Sequence, residues 1–399
     1  MSALEGLRIL DMTQYEAGTS ATQALAWLGA DVVKIEPPDQ GDPGRGVGLS
    51  GETAYSAYFC NWNANKRSLA LNLRSEEGRA LFLQLLPKFD VFVENYGPGV
   101  IERLDLEFET LRKVHPGLIY ARLKGFGTHG PYAGYKSYDM IAQAAAGAFS
   151  VTGEEDGPPS VPGPTTGDSG TGVQLGMAIL AAYVQKLRTG EGQKIEISMQ
   201  EAMTYFMRTR IALGAQWGTA ACGRHGNAQG LPPVALYPCK PFGANDWAFI
   251  MPITTGHWDE LCAATDKPEL VVDERFENVE TRLQYGTELY EIFADWTRQR
   301  TKYEVMEILG KAGVPCSATL DTAELHTDPH LRERGFIHDV DHPVHGNVPL
   351  LGFAPELSAS EVSLIRAPLL GEHTNEILAE ELNLEQEVVD QLKSQGVLG

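Results

Sequence analysis

The segment Gly167-Asp168-Ser169-Gly170-Thr171-Gly172 sets a carboxylate where a Gly-, Pro- and Thr-rich stretch, residues 152–167, meets a long apolar segment with helical spacing, Val173 to Leu187. An aspartate at a helix entrance has an ordinary structural use, as an N-cap accepting backbone N–H bonds. The same position holds a carboxylate at the positive end of a helix dipole, expected to be ionised at neutral pH without a helper base. A carboxylate attacks a thioester directly, whereas a serine needs a base beside it. No G-x-S-x-G elbow occurs, and His129, His225 and His257 have no adjacent nucleophile, so a hydrolase triad is not supported.

A literal G-x-G-x-x-G stands at Gly125-Phe126-Gly127-Thr128-His129-Gly130, but Pro131 and a polar turn follow instead of a helix. The first β-α turn, where a dinucleotide loop belongs, reads Thr13-Gln14-Tyr15-Glu16-Ala17-Gly18. Basic residues gather in loop regions of the first half: Lys66, Arg67, Arg74, Arg103 and Lys136. A solvated face is the default for each, and phosphate binding is the functional alternative. Five cysteines, at 60, 222, 239, 262 and 316, form no C-x-x-C and no Cys/His cluster of metal-ligand spacing. They read as reduced thiols, and no metal is expected.

The elements that must position these groups alternate. Leu7 to Asp11 reads as a strand, Ala21 to Leu28 as a helix, and Asp31 to Glu36 as a second strand. Helix Glu76 to Leu86 then feeds strand Asp90 to Glu94, and helix Phe108 to Val114 feeds strand Leu118 to Leu123. This favours an α/β fold with a parallel sheet covered by helices. At 399 residues the chain exceeds the size of one ordinary core. A composition change at Gly223 to Pro233 marks a crossover. Expected boundaries are a large first segment, 1–222, a smaller unit, 223–325, and a returning segment, 326–399, ending in a polar helix from Asn375 to Leu392. A net charge of −21 opposes non-specific binding to nucleic acid or anionic lipid, so an anionic ligand needs a local basic pocket. No apolar run approaches a membrane span, and residues 1–5 read as neither signal nor transit peptide. A cytoplasmic location is expected.

Collectively the residues resemble class III coenzyme A transferases of the CaiB/BaiF type. The resemblance is carried by Leu25 to Glu36, Asn65-Lys66-Arg67-Ser68, Glu77-Gly78-Arg79, Val93 to Gly99, Gly125 to Tyr132, Gly167-Asp168, Gly313-Val314-Pro315, Asp328-Pro329 and Pro368 to Thr374. It implies a Rossmann-like large domain with a parallel sheet, a smaller α+β domain, and a homodimer of interlocked rings. It also implies acyl-CoA and a small carboxylic acid as substrates, no permanently bound cofactor, and Asp168 as the nucleophile forming aspartyl anhydride and aspartyl-CoA intermediates. In motif detail the chain is most similar to the formyl-CoA:oxalate and acetyl- or succinyl-CoA:carboxylate branches. Residue by residue, that similarity places CoA contacts at Leu71, Asn72, Leu73, Arg74, Asn95, Tyr96, Gly97, Arg103, Lys136 and Ser137, with Glu16, Tyr138 and Asp139 beside Asp168 in the catalytic group.

Three departures concern the substrate. Glu16 stands where formyl-CoA transferases have Gln, Pro37 where they have an Arg, and residues 230–260 hold no counterpart of their glycine-rich loop. An α-methylacyl-CoA racemase shares the fold but carries His where this chain has Tyr138, so one of its two proton-transfer groups is missing. A non-catalytic acyl-CoA-binding protein is a third reading, and it would keep the basic pocket without needing Asp168.

Overall fold

The structure is a computed structural model describing residues 2–48, 55–214, 216–228 and 230–399. Two compact units divide the chain: Met1–Ala148, Pro162–Ala212 and Glu333–Gly399 form the first, Phe149–Val161 and Leu213–Arg332 the second. The sequence reading kept 149–161 and 213–222 in the leading segment. In the structure, Gly226 N–H donates to Gly153 O at 3.0 Å and the Arg224 guanidinium to Gly157 O at 2.6 Å, so the 149–161 excursion is bonded to the second unit.

The first unit is built on six parallel strands, β1 (Arg8–Met12), β2 (Asp31–Glu36), β3 (Arg67–Ala70), β4 (Val91–Glu94), β5 (Ile119–Lys124) and β6 (Lys194–Ser198), in the order β3-β2-β1-β4-β5-β6. Side chains alternate across a strand, so near-continuous apolar runs bury both faces. Ile9 pairs in register with Val91 and Leu10 with Phe92. On one face Leu10 and Phe92 join Phe82, Tyr120, Ile377, Leu378 and Val389; on the other Ile9 and Val91 join Ala21, Leu25, Leu175 and Ile179. The returning tail thus completes a core begun by the first strands. It does so as two helices, Thr374–Leu382 and Gln386–Ser394, not one, because Asn383 turns left-handed at φ 53° between them.

Helix Thr166–Thr189 lies against helix Ala17–Ala26. A Cβ on Gly172 would stand 2.0 Å from Ser20 Oγ and 2.7 Å from Ala17 O, so glycine is what permits this approach. The helix begins before Asp168, with Thr165 at the cap position; Asp168 sits in the first turn and is not the N-cap that its setting in the sequence favours. A hairpin, β10 (Ile337–His342) with β11 (Gly346–Leu351), also belongs to this unit. The second unit has an antiparallel sheet, β7 (Ala235–Pro238), β8 (Trp247–Ile250) and β9 (Cys316–Ala318), whose core is shared with Trp258 and Phe293 on helices Thr255–Ala264 and Gly286–Thr297 and with Phe276 in the bend between them. Among the described residues, no helix is long and apolar enough to cross a membrane.

Candidate active site

In a doubly wound sheet the crevice for ligands opens at the carboxyl ends of the strands where their order reverses, here between β1 and β4. A cavity of about 390 Å³ lies there, lined from the β1 turn by Gln14 and Tyr15, from the β4 turn by Asn95, Tyr96 and Gly97, and from beyond β5 by Lys136, Ser137 and Tyr138. Arg103 and Asp168 complete its wall. Its volume falls in the range of small-molecule sites.

The turn after β1 is held from below by buried charge. Asp11 pairs with Lys66 at 2.9 Å and accepts from Thr13 Oγ1. Burial alone would raise the Asp11 pKa, but Lys66 and Lys34 outweigh it and hold the carboxyl down to about 2. Lys34 donates to Thr13 O at 2.7 Å and pairs with Asp42 at 2.9 Å; Asp42 Oδ1 in turn accepts from Tyr15 N–H at 3.0 Å. These bonds fix Tyr15 in the left-handed region, at φ 58°, a conformation costly for a bulky residue unless its surroundings determine it. Across the crevice Asn95 Nδ2 donates to Gln14 O and Asn95 Oδ1 accepts from Gln14 N–H, both at 2.8 Å, which locks the β1 and β4 turns together.

Three carboxyl groups converge on the start of helix Thr166–Thr189. Asp139 opens helix Asp139–Ala145 and is buried; its Oδ1 accepts from Asp168 N–H at 3.0 Å and its Oδ2 from Gln143 Nε2 at 2.8 Å. Glu16, only 2% exposed, accepts from Thr165 Oγ1 at 2.6 Å and makes no ion pair among the described residues. Burial and then the charge of Asp139 push Glu16 up to about 7, against the Thr165 bond that lowers it. Asp168 is pushed up to about 8 by burial first, then by Glu16 and Asp139. Burial and the like-charged neighbours thus oppose the helix end at Asp168 and favour its protonated form more than its setting in the sequence suggests. The Tyr58 hydroxyl is raised as well, by burial and then by Glu16 and Asp168, which places it beside the same cluster.

The expected basic residues separate into two kinds. Lys66 is buried on Asp11, Thr19 O and Asn63, and Arg67 is engaged by Asp31, Glu376 and Glu380, so both are structural. Arg103 and Lys136 line the cavity, and neither forms a salt bridge among the described residues. Lys124 also lines it but is bound to Glu94 at 2.9 Å and to Tyr96 O.

Of the residues anticipated from sequence, Asn95, Tyr96, Gly97, Arg103, Lys136, Ser137, Tyr138 and Asp168 meet in this one cavity. Asp139 accepts from the Asp168 N–H and Glu16 accepts from Thr165 at the start of the same helix, and neither is in the cavity lining. Leu71, Asn72, Leu73 and Arg74 lie off its lining. Leu71 and Leu73 are buried with the tail residues Val397 and Leu398, Asn72 bonds Val397 O and Gly396 O, and Arg74 is exposed. Gln14, Tyr15, Lys124 and Tyr135 were not singled out in the sequence. Gln14 and Tyr15 had an available signal in their place just after the first strand. Tyr135 is held with Phe126 and Tyr132, at ring separations of 5.5 to 6.3 Å, in the loop carrying the G-x-G-x-x-G string; Gly127 and Gly130 there are left-handed and no helix follows, so that string is a turn.

The fold thus sets one carboxyl, Asp168, and two cations without a salt bridge among the described residues, Arg103 and Lys136, on the wall of a switch-point crevice. The chain belongs to CoA-transferase family III, whose model matches residues 4–374, and it is an enzyme of that class. It is 40% identical to the formyl-CoA:oxalate CoA-transferase of Streptomyces avermitilis, with 99% of each chain covered, and 37% identical to that of Rhodopseudomonas palustris BisA53, covering 99% of this chain and 97% of the relative. Among solved structures it is similar to a CaiB/BaiF family protein from Brucella suis, with a TM-score of 0.84, 31% identity, and 95% of this chain and 99% of that one covered.

Proposed function

We propose that the protein moves CoA from an acyl-CoA to a small carboxylic acid with Asp168 as covalent nucleophile. The observation that carries this reading is Asp168 on the wall of the cavity that Arg103 and Lys136 line with unpaired charge. The ionised Asp168 oxygen attacks the thioester carbonyl; the C–S bond breaks and CoA leaves as thiolate, giving an aspartyl anhydride. The thiolate attacks the aspartyl carbon and releases the donor acid, leaving an aspartyl-CoA thioester. The acceptor carboxylate opens that thioester to a second anhydride, and CoA attacks the acceptor carbonyl, returning Asp168 as carboxylate. Each step exchanges one activated acyl group for another, so no ATP is required.

In this reading Arg103 and Lys136 bind CoA phosphates through charge-assisted hydrogen bonds, with Ser137, Asn95, Tyr96 and Gly97 along the cofactor's path. Asp139 positions the Asp168 backbone, and Tyr138 and Glu16 border the reacting carbonyl. Leu71 to Arg74 keep a role only at the outer end of the CoA. The names of the relatives make formyl-CoA and oxalate the first substrates to assay. A homodimer is part of the proposal: Val173, Met177, Val184 and Leu187 form an exposed apolar stripe at helical spacing along Thr166–Thr189, which a second protomer would cover. A cytoplasmic location fits acyl-CoA as substrate. Asp168→Ala should abolish transfer while CoA affinity stays within a small factor, and normal turnover by that variant would defeat the assignment.

A further inference from the structure

Gln143 is fully buried on helix Asp139–Ala145, one turn beyond Asp139, and its side-chain amide stands between two acceptors. Nε2 donates to Asp139 Oδ2 at 2.8 Å and to Pro164 O at 2.9 Å. The amide nitrogen must face both, which leaves Oε1 in the interior without a hydrogen bond among the described residues. An unpaired buried acceptor is unfavourable, and its presence points to a use for the placement of the nitrogen. The other Asp139 oxygen, Oδ1, accepts from Asp168 N–H at 3.0 Å. Helix Thr166–Thr189 has no side-chain cap of its own, since the Thr165 hydroxyl donates to Glu16. Asp139 thus serves one of the N–H groups that a helix start leaves unpaired, and Gln143 ties that carboxyl to Pro164, just ahead of the first turn. Contact at Gly167 is tight as well: a Cβ there would stand 2.7 Å from Asp139 O and 3.2 Å from Gln143 Cγ.

We propose that Gln143 is a positioning residue for transfer: through Asp139 and Pro164 it sets the rotation of the first turn, and so the direction in which the Asp168 carboxyl meets its reaction partners in the cavity. This rests on Asp168 being the acylated residue. In that role the carboxyl attacks an acyl carbon, and its own carbon is then attacked, first by a thiolate and later by a carboxylate. Every step depends on the same alignment, and a shift on the order of 1 Å costs about 100-fold in rate. Gln143 lies off the cavity lining, so CoA binding does not draw on it.

Gln143→Met keeps the length of the side chain and removes both bonds. Per folded chain, it should lower kcat about 10- to 100-fold while the calorimetric Kd for CoA stays within about twofold. Gln174→Met removes amide bonds to Gly170 O and Ala202 O on the same helix without touching Asp139, and should lose stability with kcat within about twofold. The pair itself is read by reversal. Asp139→Asn sets an amide N–H against that of Gln143, and Gln143→Glu sets an oxygen against both of the oxygens now bridged. Made together, the changes let the new amide donate to the new carboxyl while its carbonyl still accepts from Asp168 N–H, and the carboxyl proton serves Pro164 O. The double variant should recover about tenfold in kcat over either single one, a comparison that decides the matter should Gln143→Met not fold. An unchanged kcat in Gln143→Met, an equal loss in Gln174→Met, or no recovery in the double variant overturns the inference. Hydroxylamine trapping on the unaltered protein separates the two failures: an Asp168 hydroxamate with any of those results sinks this inference alone, and turnover without any adduct sinks the nucleophile and this inference together.

Discussion

Replacing Asp168 by Asn keeps its shape and removes its titration, so the variant isolates what an unpaired acid at this position costs the fold. The carboxyl is raised from 3.8 to about 8. A group whose folded pKa lies above its unfolded value binds its proton more tightly in the native state, so stability falls as pH rises from about 4 to about 8 and is constant outside that window. At about 1.4 kcal/mol per unit the full shift would be worth roughly 6 kcal/mol. Asp168 is only partly buried and shares its titration with Glu16, so solvent screening and coupling bring the expected figure to about 2 kcal/mol. Urea unfolding of both proteins at pH 4 and pH 9 measures the difference. The variant should gain about 2 kcal/mol on the wild type between those values. A stability difference that does not change with pH would refute the account of the acidic cluster.

Other consequences are more local. Arg103→Ala and Lys136→Ala should each weaken CoA binding by about 1.5 to 3 kcal/mol in calorimetry, with a shallower salt dependence; unchanged affinity would remove that residue from the phosphate site. Lys66→Met strands the buried Asp11 carboxylate and should cost about 3 to 5 kcal/mol of stability, read by denaturant titration at pH 7. Gly172→Val drives a side chain into Ser20 and Ala17 and should destabilise by at least about 1 to 3 kcal/mol, with transfer falling because the displaced helix carries Asp168. A near-neutral thermal shift would contradict the close helix contact.

Much of the large unit was legible because its signals are local. Asp31–Glu36 and Phe108–Val114 form as their composition dictates, and β1, β4 and β5 fall within a residue of the expected spans. The start of helix Thr166–Thr189 was not, since Gly167, Gly170 and Gly172 weaken helix propensity while the structure uses them to let Asp139, Phe206 and Ser20 approach. The roles of Lys66 and Arg67 depend on Asp11, Glu376 and Glu380, partners up to 313 residues distant, and no reading of neighbours supplies them. The same holds for Leu71 and Leu73, which the tail buries. The raised Asp168 pKa escaped for a related reason: its burial, and the acids at positions 16 and 139 that add to it, arise only when the chain folds.

The covalent role of Asp168 is tested most directly by following oxygen. An acceptor acid labelled with heavy oxygen in its carboxylate must, in the mechanism proposed, leave one labelled oxygen on the Asp168 side chain when the second anhydride is opened by CoA. Peptide mass spectrometry after many turnovers should find that label at Asp168 and at no other acid. Product accumulating while Asp168 keeps its natural isotope composition would contradict the account.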